Sequence, residues 1–215
     1  MTTPEFQEFT KSIEYANGLI TGGNAIQGLK AAAKASGADY GNLTAAHPED
    51  LYRAAWTQAV STFDYWLRRE IINRAAHLID DLGNTRTDTL NRLRIPFAVV
   101  EEMRNKEEHE VFKKFLAEEL QRETYHTTEQ IAKGLRLLLL GNADVIWTQI
   151  GRHLMMTPVD VKRRHDKEVI KRRNDIAHRS DRDPRGDPTP MTAREAQETL
   201  EWISDLATAI AKLLD

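Results

Sequence analysis

The stretch "HPEDLYRAAWTQAVSTFDYWLRREIINRAAHLIDDLG", His47 to Gly83, decides how this chain folds. Leu51, Ala55, Ala59, Phe63, Leu67, Ile71, Leu78 and Ile79 recur at the spacing of one helical face, with no strand-like alternation. Pro48 suits a first turn, Glu49 and Asp50 complement the positive end of a helix, and Gly83 is a stop signal. A helix of this length buries its apolar stripe as the spine of a bundle. Tyr52, Trp56, Tyr65 and Trp66 add aromatic surface for core or interface packing.

The flanking segments are helical as well. Residues 4 to about 35 predict one or two helices, loosened by Gly22-Gly23 and closed by "ASGADYGN". Downstream, "TRTDTLNRL" starts a short helix at a Thr cap, and Pro96 separates it from "FAVVEEMRNK". Residues 106–123 form a charged helix, and "TTEQIAKGLRLLLLG" is capped by Thr127 or Thr128 and ended by Gly141. After "ADVIWTQIGRHLMM", Pro158 opens a helix with a basic segment, followed by the polar loop "SDRDPRGDPTP". Thr192, with Glu195 in capping-box position, begins the last helix. The expected architecture is an all-α helical bundle with one long spine helix. Residues 1–45 read as an N-terminal helical extension and 46–215 as the main helical domain, together one compact unit.

Composition removes several function classes. The 215 residues are 40% hydrophobic and 29% charged, an ordinary globular balance. Cysteine is absent, so disulfides, thiol catalysis and thiolate metal sites are excluded. The N-terminus is acidic and polar, and the longest apolar run is Leu137 to Leu140, far short of the roughly 20 residues of a membrane span. A cytoplasmic protein without membrane contact is expected. His109 stands among Glu107, Glu108 and Glu110, but adjacent residues fan around a helix and do not converge on an ion. No metal and no cofactor is expected.

Charge is unevenly distributed. Lys162 to Arg185 carries ten Lys/Arg against five acids, a net +5, and leaves −8 for the remainder. That is the electrostatic footprint of a phosphate-binding surface. A solvated helix laced with pairs such as Glu168 to Arg172 is the alternative. Within the segment stands "KRRNDIAHRSDRD", Lys171 to Asp183. On a helix at about 100° per residue, Val161, Val169 and Ile176 centre the apolar sector, and Arg173 falls inside it. Lys171, Asn174 and His178 form a separate polar stripe, with Arg173 and His178 about 140° apart. A guanidinium aimed at apolar neighbours needs an anion or a polar cleft. Either Arg173 snorkels to a carboxylate, or the helix lines a groove where Arg173 and His178 approach one ligand from two sides. A two-fold copy of the helix across a dimer interface would supply such a groove. The other histidines (47, 77, 109, 126, 153 and 165) stand in no comparable setting, and His165, in "RRHDKE", is expected as a surface or binding residue.

"RRNDIAH" followed by "RSDRDP", late in an all-α chain, resembles the Arg-x(4-6)-His motif of the HEPN superfamily (higher eukaryotes and prokaryotes nucleotide-binding domains). It is especially similar to the RiboL-PSP subgroup, in which an RNxxxH helix follows a long aromatic-rich helix. The helical order extends the likeness loosely from Leu51 to Asp215. The resemblance implies a metal-independent endoribonuclease, acting as a toxin or in defence against phage and other foreign elements. It implies a homodimer in which two motif helices build one composite cleft for RNA, with an antitoxin or other regulatory protein as a further partner. Arg173 would hold the scissile phosphate. His178 would act as general base on the ribose 2′-hydroxyl or general acid on the leaving oxygen, and Asn174 would orient the imidazole or the phosphate. The products would be a 2′,3′-cyclic phosphate and a 5′-hydroxyl. Lys171, Arg172 and Arg179 would contact backbone phosphates. Asp175, inside the motif, would repel phosphate unless paired with Arg172, Arg179 or Lys171. A helical module that binds RNA, nucleotide or protein without catalysis is the competing reading.

Overall fold

A computed structural model describes residues 3–37, 41–78 and 87–215. The first two long helices, α1 (Pro4–Ser36) and α2 (Pro48–His77), form an antiparallel hairpin. The pairing is read from its two ends. Phe6 and Phe9, early in α1, meet the Trp66 ring late in α2 at centroid distances of 5.6 and 5.4 Å. Near the other end, Gly23 lies against the Tyr52 ring, and the Tyr52 hydroxyl donates to Asn24 Oδ1 at 2.8 Å. Gly22-Gly23 therefore does not loosen α1, which runs through unbroken. The missing Cβ of Gly23 admits the Tyr52 ring, so the glycine acts in packing. The sequence-predicted stop at Gly83 lies outside the described residues; α2 is described to His77.

Short helices follow: α3 (Asp88–Asn91) capped by Thr87, α4 (Phe97–Asn105) after Pro96, and α5 (Glu108–Glu119). Then come α6 (Thr128–Leu135) with a complete Thr127–Gln130 capping box, and α7 (Ala143–Leu154) capped by Asn142. The last helix, α10 (Ala193–Leu214), carries the anticipated Thr192–Glu195 box. Trp66, Trp147, Trp202, Phe63, Leu67 and Ile146 lie in a common core with Phe9, Ala16 and Ile20 of α1, so the N-terminal helix belongs to the main body. A smaller cluster joins Ile72, Ala75 and Ala76 to Leu90, Phe112, Phe115 and Leu116. Among the described residues there is no strand, only an isolated bridge between Arg182 and Pro188, and no helix is long and apolar enough to cross a membrane.

The helix opened by Pro158 departs from regular α geometry. It runs as α8 (Pro158–Arg163), a π-helical turn (Arg164–Ile170) and α9 (Lys171–Arg179). The i→i+5 pattern widens the turn and carries positions four apart along one line. Val161, His165 and Val169 are all buried on it. This corrects the surface expectation for His165, which is fully buried. The same geometry pairs Glu168 with Arg163, five residues back, at 2.6 Å, in place of the i,i+4 pair with Arg172.

Candidate functional site

The end of the motif helix is shaped by a buried carboxylate. Ser180 and Asp181 both adopt left-handed conformations (φ 52°), which Asp tolerates better than most residues. The Asp181 amide closes the helix on Asp175 O at 2.9 Å, and its side chain, 1% exposed, turns back inside. Asp181 Oδ2 accepts from Arg53 Nε of α2 at 2.7 Å and from an Arg172 terminal nitrogen at 2.9 Å. The same guanidiniums donate to Thr189 O at 2.7 Å (Arg53) and Pro190 O at 2.9 Å (Arg172), pinning the "SDRDPRGDPTP" loop. Arg172 is thus an internal clasp, and its expected contact with a phosphate would compete with that role.

An open groove of about 850 Å³ runs along this side of α9, with Lys167, Lys171, Arg172, Arg179 and Arg182 in its lining. Lys171 and Arg179 both reach Asp175, at 3.2 and 3.5 Å, so the acid inside the motif is neutralised by its own helix. Asn174 and His178 are exposed and do not line this groove. His178 makes no hydrogen bond among the described residues, and the structure does not hydrogen-bond it to Arg173.

Arg173 does not line this groove either. It is half-buried, and one terminal nitrogen donates to Asn174 Oδ1 at 3.0 Å. Its Nε is buried and meets no acceptor. Among the described residues seven arginines are half-buried: 53, 68, 69, 74, 164, 172 and 173. Five of them form ion pairs with carboxylates. Arg164 stacks over Trp202 at 4.5 Å. Arg173 has neither a carboxylate nor a ring. A guanidinium held partly out of water without a counter-charge is costly unless an anion reaches it.

A polar cluster of His126, Asp64, Arg68 and His165 joins α2, the segment before α6 and the π-helical turn; the sequence named the two histidines without a catalytic part, and neither Asp64 nor Arg68 was singled out. His126 precedes α6, and its side chain is 19% exposed. Its Nε2 lies 3.8 Å from Asp64 Oδ2, and Asp64 is held by Arg68 at 2.9 Å and by the Tyr125 amide. Burial lowers the His126 pKa from its ordinary value; Asp64 opposes that, and the charges of Arg173 and Arg68 add to it. His165 Nε2 donates to His126 O at 2.7 Å, while its Nδ1 accepts from the Trp202 indole at 3.3 Å. That pair of bonds requires the neutral ring, and burial pushes its pKa down to about 4. The only sequence-level signal for this cluster was a carboxylate, Asp64, beside Phe63 on the apolar spine, four residues before Arg68. No protein-family model, curated protein or solved structure matches this chain.

Proposed function

We propose that the chain is a metal-independent endoribonuclease of the HEPN type that cuts RNA through its own 2′-hydroxyl. The observation that carries the reading is Arg173: among the half-buried arginines described, it alone has neither a carboxylate nor an aromatic partner, and it stands in the RNxxxH motif. Attack by an internal hydroxyl needs a proton acceptor, a proton donor and charge neutralisation at phosphorus. Arg173 neutralises the phosphate, His178 carries a proton at an exposed position, and Asn174 orients the guanidinium through the 3.0 Å bond already in place. Lys171 and Arg179, with Lys167 and Arg182, offer exposed cations to the flanking backbone. Pairing of Asp175 with Lys171 and Arg179 removes the repulsion that the motif sequence threatened. In this reading two copies bring their motif helices together over one RNA, in the cytoplasm, as a toxin or defence factor.

The test is cleavage of an end-labelled mixed-sequence RNA in EDTA by wild type, Arg173→Ala and His178→Ala, with end-group analysis of the products. Cutting by wild type to cyclic-phosphate ends, abolished by both substitutions with the fold intact, supports the reading. Wild type that binds RNA and never cuts transfers the site to a non-catalytic binding module.

A further inference from the structure

We infer that the groove between α6, α7 and α8 is a separate binding site for a phosphate-bearing anion. The inference does not rest on the ribonuclease reading, because no residue of the RNxxxH motif takes part in it.

The groove holds about 650 Å³ and shares no lining residue with the one along α9. That volume admits a ligand of nucleotide size. Lys133 of α6, Arg136 just beyond its end and Lys162 of α8 line it, against two acids, Glu123 and Glu129. The two lysines are engaged: Lys133 meets Glu123 at 2.8 Å, and Lys162 meets Asp144 of α7 at 3.3 Å. Each pair has one strongly exposed member, the Lys133 side chain at 66% and that of Asp144 at 87%, and exposed pairs contribute little. A multivalent anion therefore draws either ammonium away at small cost. Arg136 is exposed and makes no ion pair among the described residues. Its planar fork matches phosphate oxygens two at a time.

A second observation is independent of charge. Trp147 of α7 lines the same groove, although only 1% of the residue is exposed. Its indole N–H donates to no acceptor among the described residues, yet Nε1 is not sealed inside the protein. The other three tryptophans differ. Trp56 donates to Val169 O at 3.1 Å, Trp202 donates to His165 Nδ1 at 3.3 Å, and the Trp66 nitrogen is enclosed. A buried indole ordinarily finds a partner for its N–H. Trp147 has its ring fixed in the core and its donor left without one, which makes it a rigid, neutral point of attachment for an oxygen.

These features select the chemistry of the ligand. The covered ring offers no face for a base to stack on, so what Trp147 recognises is an acceptor. A carboxylate presents one charge and two oxygens to a groove with a guanidinium, two ammoniums and an indole donor. A phosphate carries nearly two charges at pH 7 and three free oxygens, which suits that set better. The phosphate belongs either to a free nucleotide or polyphosphate, or to the backbone of a nucleic-acid strand crossing the groove.

The experiment follows the four tryptophan indole N–H signals by ¹H–¹⁵N NMR as inorganic pyrophosphate is added, in wild type, Arg136→Glu and Lys162→Ala. The Trp147 signal is expected to move saturably while those of Trp56 and Trp202 stay in place. Arg136→Glu is expected to weaken binding at least about tenfold with the wild-type melting curve retained. In wild type, pyrophosphate at a hundredfold excess over Kd is expected to raise Tm by about 5–10 °C. Competition by 5′-AMP but not by a ten-nucleotide DNA strand, which has no 2′-hydroxyl to react, supports the site and assigns it to free phosphate esters. Competition by the strand alone supports it as a contact for nucleic-acid backbone. A Trp147 signal that stays still in millimolar pyrophosphate, or moves equally in Arg136→Glu, overturns the inference and leaves the ribonuclease reading untouched.

Discussion

Replacing Asp181 with Asn tests whether the buried clasp holds the motif helix in place. The substitution keeps the shape and the tolerance for φ 52°, so it removes the charge and little else. In the native protein both Arg53 and Arg172 converge on the same oxygen, Asp181 Oδ2, at 2.7 and 2.9 Å. An amide offers one neutral oxygen and one N–H₂, and either orientation leaves a guanidinium facing a donor or a weakened acceptor. The side chains of Arg53 and Arg172 are only 13% and 23% exposed, so water does not take over the lost anion. Breaking one partner of a buried charged network costs about 3–5 kcal/mol. The bonds of the two arginines to Thr189 O and Pro190 O survive and place this case at the lower end, about 3 kcal/mol. For a domain of this size that corresponds to a fall in Tm of about 6–12 °C. Thermal and urea unfolding followed by circular dichroism at pH 7 read the effect directly. Lys171→Ala, which breaks only an exposed pair with Asp175, serves as the control and is expected to cost less than about 0.5 kcal/mol. A Tm for Asp181→Asn within about 2 °C of wild type would refute the claim that the carboxylate holds this end of the helix.

Three other expectations follow from the same geometry. His165 has a folded pKa of about 4 against 6.5 in the unfolded chain, so the unfolded chain takes up the proton first on acidification. Its contribution is complete above pH 6.5 and is lost as the pH falls through 4, a change on the order of 3 kcal/mol; stability that stays flat over this window in urea titrations contradicts it. Gly151→Ala would place a Cβ 2.6 Å from Met156 O, a backbone atom that cannot rotate away, and is expected to destabilise by about 1–3 kcal/mol in the same assay. Arg173→Lys keeps the charge but loses the planar fork, and is expected to lower RNA cleavage at least about tenfold. Activity within twofold of wild type would show that a point charge suffices there.

Helix identity was legible because it is local. The period of Leu51 to Ile71 on the spine, the caps at Thr87, Thr127 and Thr192, and the prolines at positions 48, 96 and 158 act within one or two turns, and each appears where expected. The all-α bundle follows from these signals alone. So does the anomaly of Arg173, since a cation in an apolar sector is visible in projection.

What only the tertiary structure decided is which charges meet. Arg172 looked like a phosphate ligand beside Lys171 and Arg179, yet it closes on Asp181 together with Arg53, 128 residues away from that carboxylate in sequence. His165 looked like a surface residue among arginines, and one widened turn carries it into the core against Trp202. His126 showed no periodic or motif signal, because its partner Asp64 comes from a helix far back in the chain. Hydrophobic periodicity is written along the chain, whereas the compensation of a charge depends on distances across it. A sequence therefore shows where a charge is misplaced, and the packed structure shows whether anything answers it.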